Sequence, residues 1–121
     1  MNSPEPEKDN FARNEVRRTM LKIHILWRLT KSEVNAYSML KEISEDNFAV
    51  SFFTDKRELR DDIYNSLKSL EKSELVVSSP KVEKGRLKQY YQITEKGRQA
   101  LKSSFIEFQK GVKHLQALSR K

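Results

Sequence analysis

The chain has 121 residues, of which 34% are charged and 36% hydrophobic, with no cysteine and a net charge of +7. That length supports one modest core, the missing cysteine excludes disulfides and thiolate metal sites, and no apolar run approaches the roughly 18 residues of a membrane span. The positive balance points to polyanionic partners, and it is concentrated: between Lys81 and Arg98 stand Lys81, Lys84, Arg86, Lys88, Lys96 and Arg98 against only Glu83 and Glu95.

Residues 1–12 hold Pro, Glu, Asn and Ser with almost nothing to bury, and read as a disordered tail. They lack the basic and apolar regions of a secretory signal, so an intracellular chain is expected. A first helix is predicted from about Asn14 to Leu29. Val16, Met20, Ile23 and Trp27 recur at steps of four, three and four, and Leu26 and Leu29 widen the stripe. Ser32 is the expected N-cap of a second helix, with Ala36, Tyr37, Leu40 and Ile43 on one face. Residues 47–54 read as a connection packed onto the core, or a short strand. Thr54 or Asp55 should cap a third helix, Lys56 to Lys72, with Asp55 and Glu58 as a capping-box variant. Leu59, Ile63, Leu67 and Leu70 form its buried stripe.

Two β-branched or aromatic runs follow, Leu75 to Ser79 and Leu87 to Ile93. Lys84-Gly85 lies between them as a tight turn in which Gly85 supplies a positive φ. Thr94 caps a last helix from Glu95 to about Leu118. On it Leu101, Phe105, Phe108, Val112 and Leu115 are spaced four, three, four, three, a seam of about two heptads that needs a covering partner.

Three helices, a two-stranded ribbon and a final helix make a mainly α (α+β) winged helix-turn-helix, with a long C-terminal dimerisation helix. The expected division is a tail at 1–12, a DNA-binding domain at 13–94 and the dimerisation helix at 95–121. The third helix would enter the major groove. Its candidate contacts are Arg57, Arg60, Asp61, Tyr64, Asn65, Lys68 and Ser69. Asn65 has the donor and acceptor to read adenine, and Lys68 can donate to guanine or phosphate. On the ribbon, Lys81, Lys84, Arg86 and Lys88 are the candidates for backbone or minor-groove contact. Arg17 and Arg18 are further candidates for phosphate contact. Glu58, Asp61 and Asp62 suit the positive end of the helix dipole but oppose phosphate.

His24 and His114 stand alone without ligand spacing, so no metal site is expected. No Ser/His/Asp set, phosphate loop or paired-carboxylate cleft suggests an enzyme, and no cofactor is expected. Two histidines apart, the rest of the pattern is familiar. Ala36-Tyr37-Ser38-Met39-Leu40-Lys41-Glu42-Ile43, then Ile63-Tyr64-Asn65-Ser66-Leu67-Lys68-Ser69-Leu70-Glu71, then Tyr90-Tyr91-Gln92-Ile93-Thr94-Glu95-Lys96-Gly97 together resemble the PadR-like transcriptional regulators over about residues 20–102. The resemblance implies a homodimeric regulator, usually a repressor, that binds a pseudo-palindromic operator on double-stranded DNA in the cytoplasm, associated with the nucleoid. It also implies that Tyr64 anchors the recognition helix and that the helix after Gly97 contacts its mate. Three departures stand out. The span from Tyr37 to Tyr64 is longer than usual, Arg60-Asp61-Asp62 replaces small turn-forming residues, and Glu74 stands where Gly commonly precedes the Leu, which suggests a changed helix-to-strand turn. A winged module for protein or RNA contacts is the alternative reading. A small aromatic effector is a further candidate partner, at a dimer interface lined by Trp27, Phe105 and Phe108.

Overall fold

The computed structural model describes residues 12–46 and 56–120. The connection expected at 47–54 and the Thr54 or Asp55 cap lie outside the described residues. A π-helical turn, Ala12–Val16, runs into α1 (Arg17–Leu29). Then come β1 (Val34–Asn35), α2 (Ala36–Ser44), α3 (Lys56–Lys72), β2 (Val76–Glu83), β3 (Arg86–Ile93) and α4 (Glu95–Ser119). The three strands form an antiparallel sheet in the order β1-β3-β2. This is the winged helix-turn-helix expected from the element order, with the two-residue β1 as an unforeseen third strand.

α3 buries Leu59, Ile63, Leu67 and Leu70 as its spacing requires, with Ser66 between them. Four such side chains contribute on the order of 8 kcal/mol of burial before chain entropy is charged. They pack against α1 and α2, and the floor of the core is completed by Val34, Val76 and Leu101.

α1 corrects the expectation. Its buried residues are Arg17, Leu21, Ile25, Leu26 and Leu29, while Val16 and Trp27 of the predicted stripe are exposed. The helix carries apolar residues on two sides, and periodicity cannot say which side meets the chain's own core. α2 is corrected too. Its cap is Asn35, whose side chain accepts from the Ser38 N–H at 2.8 Å, three residues after the predicted Ser32. Met39 and Ile43 face the core, and Tyr37 is 72% exposed. Ser32 instead accepts from Arg28, which also grips Glu42 with Nε–Oε1 at 2.6 Å and Nη2–Oε2 at 3.1 Å. That bidentate pair ties the end of α1 to α2.

The exit from α3 is a Schellman turn. The Leu75 N–H donates to the Leu70 carbonyl at 2.9 Å and the Glu74 N–H to the Glu71 carbonyl at 3.0 Å. Glu74 has a φ of 63°, so it occupies the left-handed position a glycine would fill, at a cost of about 1 kcal/mol. The changed turn expected at Glu74 is therefore not found; the usual turn is kept by a strained residue. The Lys96 ammonium donates to the Ser73 carbonyl at 3.0 Å, placing a cation on the helix C-terminus.

α4 begins on this turn. Thr94 caps it by accepting from the Gly97 N–H at 2.9 Å, and its own hydroxyl donates to the Glu74 carbonyl at 2.8 Å. A Cβ on Gly97 would collide with the Leu75 carbonyl oxygen and approach Ile93 Cγ1 to 2.7 Å. The Thr-x-x-Gly pattern is thus a joint between the last helix and the end of α3.

Candidate nucleic-acid interface

On α3 the residues opposite the buried stripe are exposed: Arg57, Asp61, Asn65 and Lys68. Tyr64 is about half-exposed at the margin, and Ser69 is half-buried on the other flank. Arg60 is exposed, with Nε 3.8 Å from Asp61 Oδ1, a pair too open to hold either charge firmly.

The acids of α3 do not all face outward. Arg17, which was expected to meet phosphate, is buried; its Nη1 lies 2.8 Å from Glu58 Oε1 and its Nη2 3.0 Å from Asp62 Oδ2. This correction has a simple cause. Arg17 stands one turn before Leu21 on the inward side of α1, and a buried carboxylate needs a cation. The pairing withdraws two negative charges from the exposed side of α3 and fixes that helix to α1.

The ribbon tip is a two-residue turn with φ of 52° at Lys84 and 76° at Gly85, both left-handed as a type I′ hairpin requires. Glu83 pairs with Arg86 across the strands, Lys81 with Lys88 and Ser79 with Tyr90, so Lys81, Glu83, Arg86, Lys88 and Tyr90 share one face. Two like charges directly opposite would repel, and each lysine has an acid. Lys81 bonds Glu33, which also accepts from Gln92 at 2.9 Å, and Lys88 reaches Glu83 at 3.4 Å. Tyr90 donates its hydroxyl to Glu83 and lies beneath the Lys81 ammonium, 5.3 Å from ring centre to Nζ. Tyr90's hydrogen bond, then that of Lys88, holds the Glu83 carboxyl below the usual carboxylate range, against a smaller effect of desolvation. Of the four predicted cations, Lys84 and Arg86 make no hydrogen bond or ion pair with the described residues. At the base of the ribbon Tyr91 packs on the core, and burial, then the charge of Glu71, raises its hydroxyl pKa. Val82 and Leu87 pair on the opposite face near the tip, each 73% exposed.

Residues 25–103 match the family model described as the PadR-like family of transcriptional regulators. The chain belongs to that family. Among solved structures, a protein from Thermoplasma acidophilum is similar at a TM-score of 0.69 and 21% identity, over 89% of this chain and 98% of that one. A PadR-family regulator from Eggerthella lenta gives 0.67 and 19%, over 86% and 85%. Bacillus subtilis PadR in complex with operator DNA gives 0.60 and 25%, over 72% of this chain and 47% of that one. Among curated proteins, none matches.

In this PadR-like chain the residues predicted as a seam divide. Leu101 is buried in the subunit's own core, whereas Phe105, Phe108, Val112 and Leu115 are exposed on α4 beyond it. Trp27 is also about half-exposed, with the His24 ring edge-on at 6.0 Å and the Lys31 ammonium 5.3 Å from its centre. No group of metal-ligating side chains is found among the described residues, and no described helix is long and apolar enough to cross a membrane. Sequence reasoning missed Lys22, which stands four residues after Arg18 and shares with it a cleft against α3. The i, i+4 spacing of the two cations was the available signal.

Proposed function

We propose that the chain is a sequence-specific double-stranded DNA-binding regulator of transcription that acts as a homodimer and represses by occupying its operator. One observation carries this reading. α3 presents Asn65 and Lys68 on an exposed face between the basic ribbon and α1, while two of its acids are turned inward onto Arg17. That is the surface a recognition helix needs: amide and ammonium groups for base edges, cations on its flanks for backbone. The similar Bacillus subtilis PadR is in complex with operator DNA, which supports the same role.

The homodimer rests on α4. Phe105, Phe108, Val112 and Leu115 form an exposed apolar band on a helix whose first turns alone join the core, and a second copy covers such a band by symmetry. Trp27 with Phe105 and Phe108 is where a flat aromatic effector would enter that interface. The experiment is binding-site selection from random duplexes, paired with sedimentation of the full chain. One enriched half-site in inverted repeat is expected, with the mass of a dimer; Phe105→Glu should give a monomer with weakened operator binding. Enrichment of nothing, or a monomeric wild type that binds RNA or protein instead, would overturn the reading.

A further inference from the structure

The exposed surface continues past α3 into a cleft of about 220 Å³ between α1 and α3, lined by Arg18, Lys22, Asp62, Asn65, Ser66 and Ser69. Arg18 and Lys22 stand on consecutive turns of α1 and face the same cleft. Neither has a hydrogen bond or ion pair with the described residues, so two like charges are held side by side, an arrangement that costs stability until an anion enters. Asn65 and Ser69 stand on consecutive turns of α3, and their side chains bond nothing within the described chain. The acid of the cleft, Asp62, lies 3.0 Å from Arg17, a cation that it shares with Glu58. The lining thus offers two cations against one carboxylate that Arg17 partly neutralises, with a hydroxyl beside them, which is the chemistry of a phosphate site.

Its position says which phosphate. Asn65 belongs both to the cleft and to the exposed face of α3. Glu71, on the other side of that helix, accepts from Ser78 of the ribbon at 2.8 Å. The cleft therefore borders the exposed face on the side away from the ribbon, where a strand walling the major groove would pass. We infer that this cleft seats one backbone phosphodiester of the bound duplex, with Arg18 and Lys22 as its cations and Ser69 as a neutral donor, while Asn65 at its rim stays turned to the base edges. The inference rests on the DNA-binding reading above: the ribbon holds one wall of the groove, and the cleft holds the other. It fixes the angle at which α3 enters without reading sequence.

The test is Arg18→Gln with Lys22→Gln in the full chain, titrated against a generic duplex and the selected operator over a salt series. One phosphate lost per protomer should lower the slope of log affinity on log salt by about 0.9 for each protomer bound. Affinity at low salt should fall about tenfold on both duplexes alike, with oligomeric mass and melting temperature unchanged. Lys22→Gln alone, which keeps the α1 surface nearly intact, should give part of the same slope change and serves if the double variant does not fold. An unchanged slope, or a loss confined to the operator, overturns the site. Tight binding of inorganic phosphate by wild type, lost in the variant without any change in duplex slope, overturns it in favour of a free anion. If wild type binds no duplex, the DNA reading has failed. If Lys84→Gln with Arg86→Gln weakens binding and the cleft variant does not, the cleft assignment alone has failed.

Discussion

The two surfaces proposed to meet DNA both contain acid–base pairs, and the pairs work in opposite directions. On α3 the buried Arg17 draws Glu58 and Asp62 inward, so the helix face becomes less negative than its sequence. On the ribbon Glu33 and Glu83 hold Lys81 and Lys88, so the hairpin becomes less positive than its sequence, and Lys84 and Arg86 carry its free charge. Burial makes the first pairing strong, because separating the ions would strand charge in a low-dielectric site. Exposure makes the second weak, because water and salt compete for both partners. A count of basic and acidic residues therefore misjudges both surfaces, in opposite senses.

The largest effect should follow from breaking the buried pairing. Arg17→Met leaves the largely buried Asp62 carboxylate without the cation beside it and should destabilise by about 3 kcal/mol or more in urea denaturation. Replacing Glu58 by Gln and Asp62 by Leu in the same background should recover most of that. A single variant as stable as wild type would show that the pairing is ornamental. Next in size is the division within the ribbon. Lys84→Gln with Arg86→Gln should lower the salt slope of DNA binding by about two for each ribbon engaged. Lys81→Gln with Lys88→Gln should lower it by less than half as much. Equal effects from the two doubles would mean that the exposed pairs open freely on binding.

What the sequence disclosed and what it hid follow from range. The stripe Leu59, Ile63, Leu67, Leu70, the Lys84-Gly85 turn and the Thr94 cap are decided within a few residues, and the structure has each where local chemistry puts it. The exposure of Asn65 and Lys68 follows from the same helical geometry. Hidden were the features that depend on distant partners. Val34–Asn35 becomes a strand only because Tyr90 and Tyr91 lie beside it. The inward face of α1 is chosen by α3, and Arg17 looks like any surface arginine until Glu58, forty-one residues later, is set against it. Glu74 misled for another reason: an unfavourable residue in a left-handed turn suggests that the turn has changed, whereas the hydrogen bonds at Leu70 and Glu71 enforce it.

The smallest expected effect is the most diagnostic of the ribbon. Glu83→Gln removes the charge that holds Lys88 and leaves an acceptor for Tyr90, so the hairpin should stay folded while Lys88 becomes free to meet phosphate. Binding to a generic duplex at low salt should tighten about threefold, the scale of one exposed pair released. The pH dependence separates this from a general change in charge. Glu83 has a folded pKa below its ordinary value, so its hold on Lys88 is complete above the ordinary carboxylate range and is lost only as pH falls through the lowered value. Between pH 8 and about 5.5 wild type keeps the pair closed, and the affinity ratio of Glu83→Gln to wild type should be flat. In stronger acid wild type protonates Glu83 itself, and the ratio should close towards one. A ratio already half closed at pH 4.5, the ordinary carboxylate value, would mean that Tyr90 and Lys88 do not stabilise the carboxylate, and that Lys88 is as free as Arg86.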